Sequence, residues 1–224
     1  MKAMILAAGR GERLRPLTDT TPKPLIEVGG CSLLDHHLAA LAGAGFTEVV
    51  INLAWLGEHI RTAIGDGSHH GLHVHYSDEG SQALETAGGI VRALPLLGEG
   101  PFAVINGDIW TDYPRARLQP PEPGDLARLV LVDNPAHNPD GDFALAGNRV
   151  RADGSPRLTF AGIGVYTPEL FRDLADGVAA LGPLLRAAAQ ANRVAGDYYA
   201  GRWHDVGLPE RLATLRAEHA AGVS

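Results

Sequence analysis

Leu6-Ala7-Ala8-Gly9-Arg10-Gly11-Glu12-Arg13-Leu14-Arg15-Pro16-Leu17-Thr18, closing on Pro22-Lys23-Pro24-Leu25, decides how the rest of the chain is read. It follows Ala3 to Leu6, a short apolar run that reads as a first strand. Ala7, Ala8, Gly9 and Gly11 carry little or no side chain, so a ligand can come close to their backbone N–H groups. Arg10, Arg13, Arg15 and Lys23 set cations beside those donors. Pro16, Pro22 and Pro24 stiffen the return. Small residues next to cations predict a cradle for a polyphosphate.

Two familiar glycine loops come close and fail. Gly-x-x-x-x-Gly-Lys-Ser/Thr needs wider glycine spacing with a lysine at once after it, whereas Lys23 stands far beyond Gly11. Gly-x-Gly-x-x-Gly needs a third glycine opening a helix, but Leu14 holds that position and Pro16 follows. The loop is therefore a third solution to phosphate binding.

Outward from the loop, Ser32 with Asp35 three residues on predicts a capped helix carrying Leu33, Leu34, His37, Leu38 and Leu41, stopped near Gly45. Val49–Ile51 reads as a buried strand ending at Asn52, Trp55 to Ile64 as a short helix, and His73 to Tyr76 as a strand. Small residues, Thr86 to Gly89, lead into a helix expected over Ile90 to Leu97. Phe102 to Ile105 is a strong strand that stops at Asn106-Gly107-Asp108. A carboxylate there, after a glycine that lets ligand near, suits Mg²⁺. Pro120 to Gly124 reads as a surface connection, and strands follow at Leu129 to Val132 and Leu158 to Tyr166. A hairpin around Gly147-Asn148 lies between them. Gly182 to Leu185 opens a helix, Val194 to Tyr199 is a strand, and Pro209 to His219 is a final amphipathic helix. Helices alternating with short apolar strands predict an α/β fold with a mainly parallel sheet and ligands at the strands' carboxyl ends.

Composition narrows the classes. A length of 224 residues at 45% hydrophobic suits one large domain. A net charge of −7 argues against nucleic-acid binding, so anionic substrates need a local basic site. No apolar run approaches a membrane span and no signal-peptide layout opens the chain. Cys31 is the only cysteine, so a reducing, cytoplasmic setting is expected. Of 19 basic residues only Lys2 and Lys23 are lysine, which singles out Lys23 as a compact ammonium. His73 and His75 share one strand face and could bind zinc, but spacing supplies no third ligand, so surface or packing roles are expected for them and for His69-His70 in their Gly-flanked loop.

The opening motif resembles that of the sugar-1-phosphate nucleotidyltransferases, the NDP-sugar pyrophosphorylases. That resemblance implies a Rossmann-like mixed sheet flanked by helices in a single domain, 1–224, with a nucleotide-binding half (1–118) and a smaller sugar-binding half (119–224). No repeated hexapeptide, and so no left-handed β-helix tail, follows. It implies Lys23 and Arg13 as catalytic residues. Ala7, Ala8, Gly9, Gly11, Glu12, Arg13, Lys23, Glu79, Gly88 and Asn106 would bind nucleotide, and Asn106, Asp142 and Gly162 the sugar. Asp108 and Asp205, the latter from Trp203-His204-Asp205-Val206-Gly207, would share Mg²⁺. The Glu-Lys-Pro of many relatives acting on glucose or mannose phosphates is missing between Val150 and Leu158. Within the family the chain is more similar to the short uridylyltransferases acting on N-acetylmuramate 1-phosphate, through Leu131 to Pro135, Gly141-Asp142-Phe143, Leu158 to Ile163 and Pro183 to Arg186. UTP and a sugar 1-phosphate are then the expected partners of a monomer or small homo-oligomer. A mannose-1-phosphate guanylyltransferase, or a nucleotide-sugar sensor without turnover, are the alternatives.

Overall fold

The computed structural model describes residues 1–80 and 83–222. In chain order the elements are β1 (Lys2–Leu6), β2 (Glu27–Val28), β3 (Cys31–Ser32), α1 (Leu33–Gly43), β4 (Glu48–Leu53), α2 (Gly57–Ile64), β5 (His73–Asp78) and α3 (Glu85–Leu97). Then come β6 (Phe102–Asn106), β7 (Ile109–Thr111), β8 (Ala127–Val132), β9 (Phe143–Ala146), β10 (Arg149–Arg151) and β11 (Arg157–Tyr166). α4 (Leu181–Gln190), β12 (Val194–Tyr198), β13 (Trp203–Asp205) and α5 (Pro209–Ala220) finish the described chain.

The main sheet runs β5-β4-β1-β6-β11-β8-β12-β10-β9. Its first four strands are parallel, as the alternation with helices predicts. β11 enters antiparallel between β6 and β8, so the sheet is mixed and continuous across residues 118 and 119. The central strands are buried on both faces, which is why they read as unbroken apolar runs. Alternate residues split between two cores: Ala3, Ile5, Val49 and Ile51 meet α1 and α2 through Leu34, Leu38 and Ile60. Met4, Val50, Phe102 and Val104 meet α3 and α4 through Ile90, Ala93, Leu181 and Leu185.

α1 starts where the sequence places it. Ser32 Oγ accepts from the Asp35 N–H at 3.0 Å and the Ser32 N–H donates to Asp35 Oδ2 at 3.2 Å, a full capping box. α3 starts earlier than expected, at Glu85 rather than Ile90, and takes Gly88 and Gly89 into its buried face. There the helix backbone packs too closely for side chains: a Cβ on Gly88 would run into the carbonyl of Gly177. Ser81 and Gln82, in the stretch leading to this helix, lie outside the described residues.

A third core fastens the far end of the chain to its beginning. Leu212 and Leu215 of α5 pack with Leu14, Ile26, Val28, Leu33, Trp110 and Val206. Burying each leucine contributes about 2 kcal/mol. The opening loop is thus clamped between the sheet and α5.

His37, on α1, is fully buried and Arg115 Nη2 donates to its Nδ1 at 3.3 Å. Burial, and then the Arg115 guanidinium, pushes the His37 imidazole down to about 3. The unfolded chain titrates near 6.5, so between those values it binds a proton that the folded chain refuses. This contribution to stability is fully present above about pH 6.5 and is lost on acidification toward 3. The urea midpoint is expected to fall between pH 7.5 and pH 5, and to fall less in His37→Gln, whose carbonyl can still accept from Arg115. An equal drop in both would contradict the role.

Candidate active site

A cleft of about 680 Å³ opens at the carboxyl ends of β1, β4 and β6. Ala7, Ala8, Gly9, Gly11, Glu12, Arg13, Lys23, Glu79, Asn106 and Asp108 all line it, as does Arg10. Gly11 makes the loop possible: its φ is +65°, and a Cβ there would sit 2.9 Å from Thr18 Cγ2. Thr18 Oγ1 donates to the Gly11 carbonyl at 2.9 Å and pins the turn. Arg10 lies over the Trp55 ring at 5.1 Å. Arg15 does not line the cleft; its guanidinium pairs outside with Asp19 at 2.6 Å.

One expected phosphate donor is already committed. The Ala7 N–H donates to Asn52 Oδ1 at 2.7 Å, while Asn52 Nδ2 donates to Glu79 Oε1 at 2.6 Å and the Leu84 N–H donates to Glu79 Oε2 at 3.1 Å. This buried chain of hydrogen bonds ties the loop to the segment leading into α3. Sequence shows Asn52 only as the residue ending a strand. Its position at the carboxyl end of β4, beside β1, is the signal that could have found it.

Lys23 is 7% exposed, and its Nζ stands 2.6 Å from Asp108 Oδ2. Gly107 brings that aspartate in, for a different reason from the one expected. Its N–H donates to the Leu6 carbonyl at 2.9 Å, and a Cβ would lie 2.6 Å from that oxygen. The glycine admits backbone, which draws the end of β6 against the end of β1.

Asp205 comes to the same edge through a two-stranded ribbon. β13 pairs antiparallel with β7, Asp205 opposite Ile109, and the Val206 N–H donates to the Asp108 carbonyl at 2.9 Å. Asp205 Oδ2 accepts from Arg211 Nη1 at 2.6 Å, with His137 Nε2 at 3.4 Å. A Cβ on Gly207 would lie 2.9 Å from Asp205 Oδ1, 3.0 Å from Arg211 Nη2 and 3.2 Å from Arg13 Nη2. Asp205 and Arg13 therefore converge on Gly207, which itself lines the cleft. Two carboxylates on neighbouring backbone are the hard oxygen donors a small divalent cation takes. Each meets a cation of the chain, Lys23 or Arg211, so the pair fits a metal that displaces those contacts.

A second cleft, about 460 Å³, shares Glu85, Thr86 and Asn106 with the first. Asp142 lines it among Phe143, Phe160, Leu181 and Leu185. Asp142 Oδ2 accepts from the Phe160 N–H at 2.8 Å and from Asn138 at 3.3 Å, and its Oδ1 has no hydrogen-bond partner among the described residues. Three expected site residues, Asp205, Gly162 and Gly88, do not line either cleft. Gly162, at φ +72° where the β11 register shifts, gives way to the Asn106 side chain, 2.7 Å from where its Cβ would be. Gly88 is packed inside α3, and its N–H donates to the Ala179 carbonyl at 3.1 Å. Glu85 and Thr86 line the cleft in its place.

His69 and His70 meet a carboxylate that spacing did not place beside them: Asp35 Oδ1 accepts from His70 Nε2 at 3.0 Å, with ligand atoms of Asp35, His69 and His70 all within 4.8 Å. No helix among the described residues is long and apolar enough to cross a membrane.

Residues 2–119 match the model of the nucleotidyl transferase family, and the chain belongs to that family. It is a sugar-1-phosphate nucleotidyltransferase, of an enzyme class that uses a nucleoside triphosphate, a sugar 1-phosphate and a divalent metal. Over nearly its whole length it is similar to the N-acetylmuramate alpha-1-phosphate uridylyltransferase of Neisseria meningitidis serogroup B, at 52% identity over 97% of each chain. The mannose-1-phosphate guanyltransferase of Aspergillus fumigatus is 38% identical over 61% of this chain and 39% of its own. A Bacillus anthracis structure assigned as a glucose-1-phosphate thymidylyltransferase shares the fold at a TM-score of 0.85, with 20% identity, over 98% of this chain and 95% of its own.

Proposed function

We propose that the chain transfers a uridylyl group from UTP to N-acetylmuramate 1-phosphate, in the cytoplasm and with Mg²⁺. The observation that carries the substrate choice is the 52% identity over 97% of both chains to an enzyme named for that reaction. The joined clefts support it: one presents loop amides and cations, the other a carboxylate among apolar walls.

In this reading a phosphate oxygen of the sugar 1-phosphate attacks the α-phosphorus of UTP. The bond to the β-phosphate oxygen breaks in line, and pyrophosphate leaves without a covalent enzyme intermediate. The reactants repel, so the chain's work is to position them and offset charge. Asp108 and Asp205 would hold the Mg²⁺, which would supply positive charge to offset the phosphates. Lys23 sits by the α-phosphate and the attacking oxygen. Arg13 with the Ala8, Gly9 and Gly11 amides holds the β- and γ-phosphates. The Ala7 amide is spent on Asn52, and Glu79 acts by bracing that contact. Glu12, Glu85 and Thr86 stand on the nucleotide walls, and Asn106 stands where the two clefts meet.

The test is a pyrophosphate-release panel of UTP, GTP, dTTP and CTP against N-acetylmuramate, N-acetylglucosamine, mannose and glucose 1-phosphates. UTP with N-acetylmuramate 1-phosphate is expected to give the highest kcat/KM. Preference for GTP with mannose 1-phosphate would overturn the reading. So would binding of nucleotide without release.

A further inference from the structure

We infer that Arg186 forms a carboxylate-binding subsite in the second cleft, which selects an acidic sugar over its neutral counterpart. This rests on the substrate reading above and names the group that enforces it.

N-acetylmuramate differs from N-acetylglucosamine by a lactyl ether on C3 that ends in a carboxylate. An acceptor of this kind brings a second anion, remote from its phosphate. Lys23 and Arg13 line the first cleft and serve phosphates there. In the second cleft the ionisable walls among the described residues are Glu85, Asp142 and Arg186, so the cation there is Arg186. Arg186 lies on α4, one turn after Gly182, and its Nη2 is 3.2 Å from where a Cβ on Gly182 would be. A bare glycine thus makes room for the guanidinium at that rim.

Other arginines on nearby surfaces are engaged. Arg92 pairs with Asp176, Arg128 with Asp197, Arg149 with Asp125 and Arg193 with Glu169. Arg186 is exposed and has no hydrogen-bond or ion-pair partner among the described residues. A planar guanidinium facing a cleft is free to take a carboxylate with two parallel N–H donors.

Steady-state kinetics with UTP test this. Wild type, Arg186→Gln and Arg186→Lys are each given N-acetylmuramate 1-phosphate and N-acetylglucosamine 1-phosphate. The ratio of kcat/KM for the two sugars is read within one preparation, so any unfolded fraction cancels. Wild type is expected to prefer the acid sugar. Arg186→Gln is expected to lower that ratio by roughly 10- to 100-fold, mainly through a higher KM for the acid sugar. Arg186→Lys should recover part of it, since the charge survives without the fork. A wild-type preference that persists undiminished in Arg186→Gln overturns the subsite and leaves the substrate reading standing. A wild type that shows no preference for the acid sugar overturns both.

Discussion

Lys23→Met is expected to lower kcat by about three orders of magnitude while leaving the melting temperature close to that of wild type. The size follows from what a fixed charge does when it stabilises charge that develops only as the reaction proceeds. Lys23 is held in place, with its side chain buried and its ammonium 2.6 Å from Asp108. Methionine keeps the buried volume, so the fold loses little packing. Asp108 is left without its partner, but its side chain is 38% exposed and water can solvate it. Stopped-flow pyrophosphate release together with a thermal melt checks both halves. Near-wild-type kcat in a folded variant would remove Lys23 from the mechanism.

Asp108→Asn and Asp205→Asn are each expected to cost about two to three orders of magnitude in turnover and to raise the Mg²⁺ concentration needed for half-maximal rate. The two losses are expected to combine non-additively, because one ion needs both carboxylates. Asp205 carries an added consequence. Its Oδ2 is held by Arg211 at 2.6 Å, a contact that a cation held there would have to displace. Arg211 and Arg13 both lie beside Gly207, so a displaced Arg211 would stay at the phosphate end of the cleft. A Mg²⁺ titration of rate for the two single variants and the double variant measures this. A change confined to Asp108→Asn would separate Asp205 from the metal.

Much of this is legible in the sequence where local chemistry decides the structure. The capping box of Ser32 and Asp35, the doubly buried strands and the glycine loop each write their geometry into neighbouring residues. What stays hidden depends on pairing across the chain. Asn52 and Glu79 are 27 residues apart in sequence, and only the β4–β5 pairing brings them together to brace Ala7. The start of α3 escapes a sequence reading because Gly88-Gly89 look like a loop, while packing against Gly177 and Ala179 holds them in the helix and Glu85, at φ +57°, turns the chain into it. Gly107 and Gly162 look like room for ligand, yet a carbonyl and an asparagine side chain fill that room. Arg15 belongs with the cradle by closeness in sequence, but the turn at residues 12–14 sends it outward to Asp19. Asp35 joining His69-His70 is likewise out of reach of spacing.

The most direct test lies at the ribbon of β7 and β13. Crystals of the chain with Mn²⁺ and a slowly reacting UTP analogue should show an anomalous peak beside the cleft. One ion with a carboxylate oxygen of Asp108 and one of Asp205 both within about 2.5 Å is the predicted result. An ion bound by Asp108 alone, with Asp205 still gripped by Arg211, would contradict it.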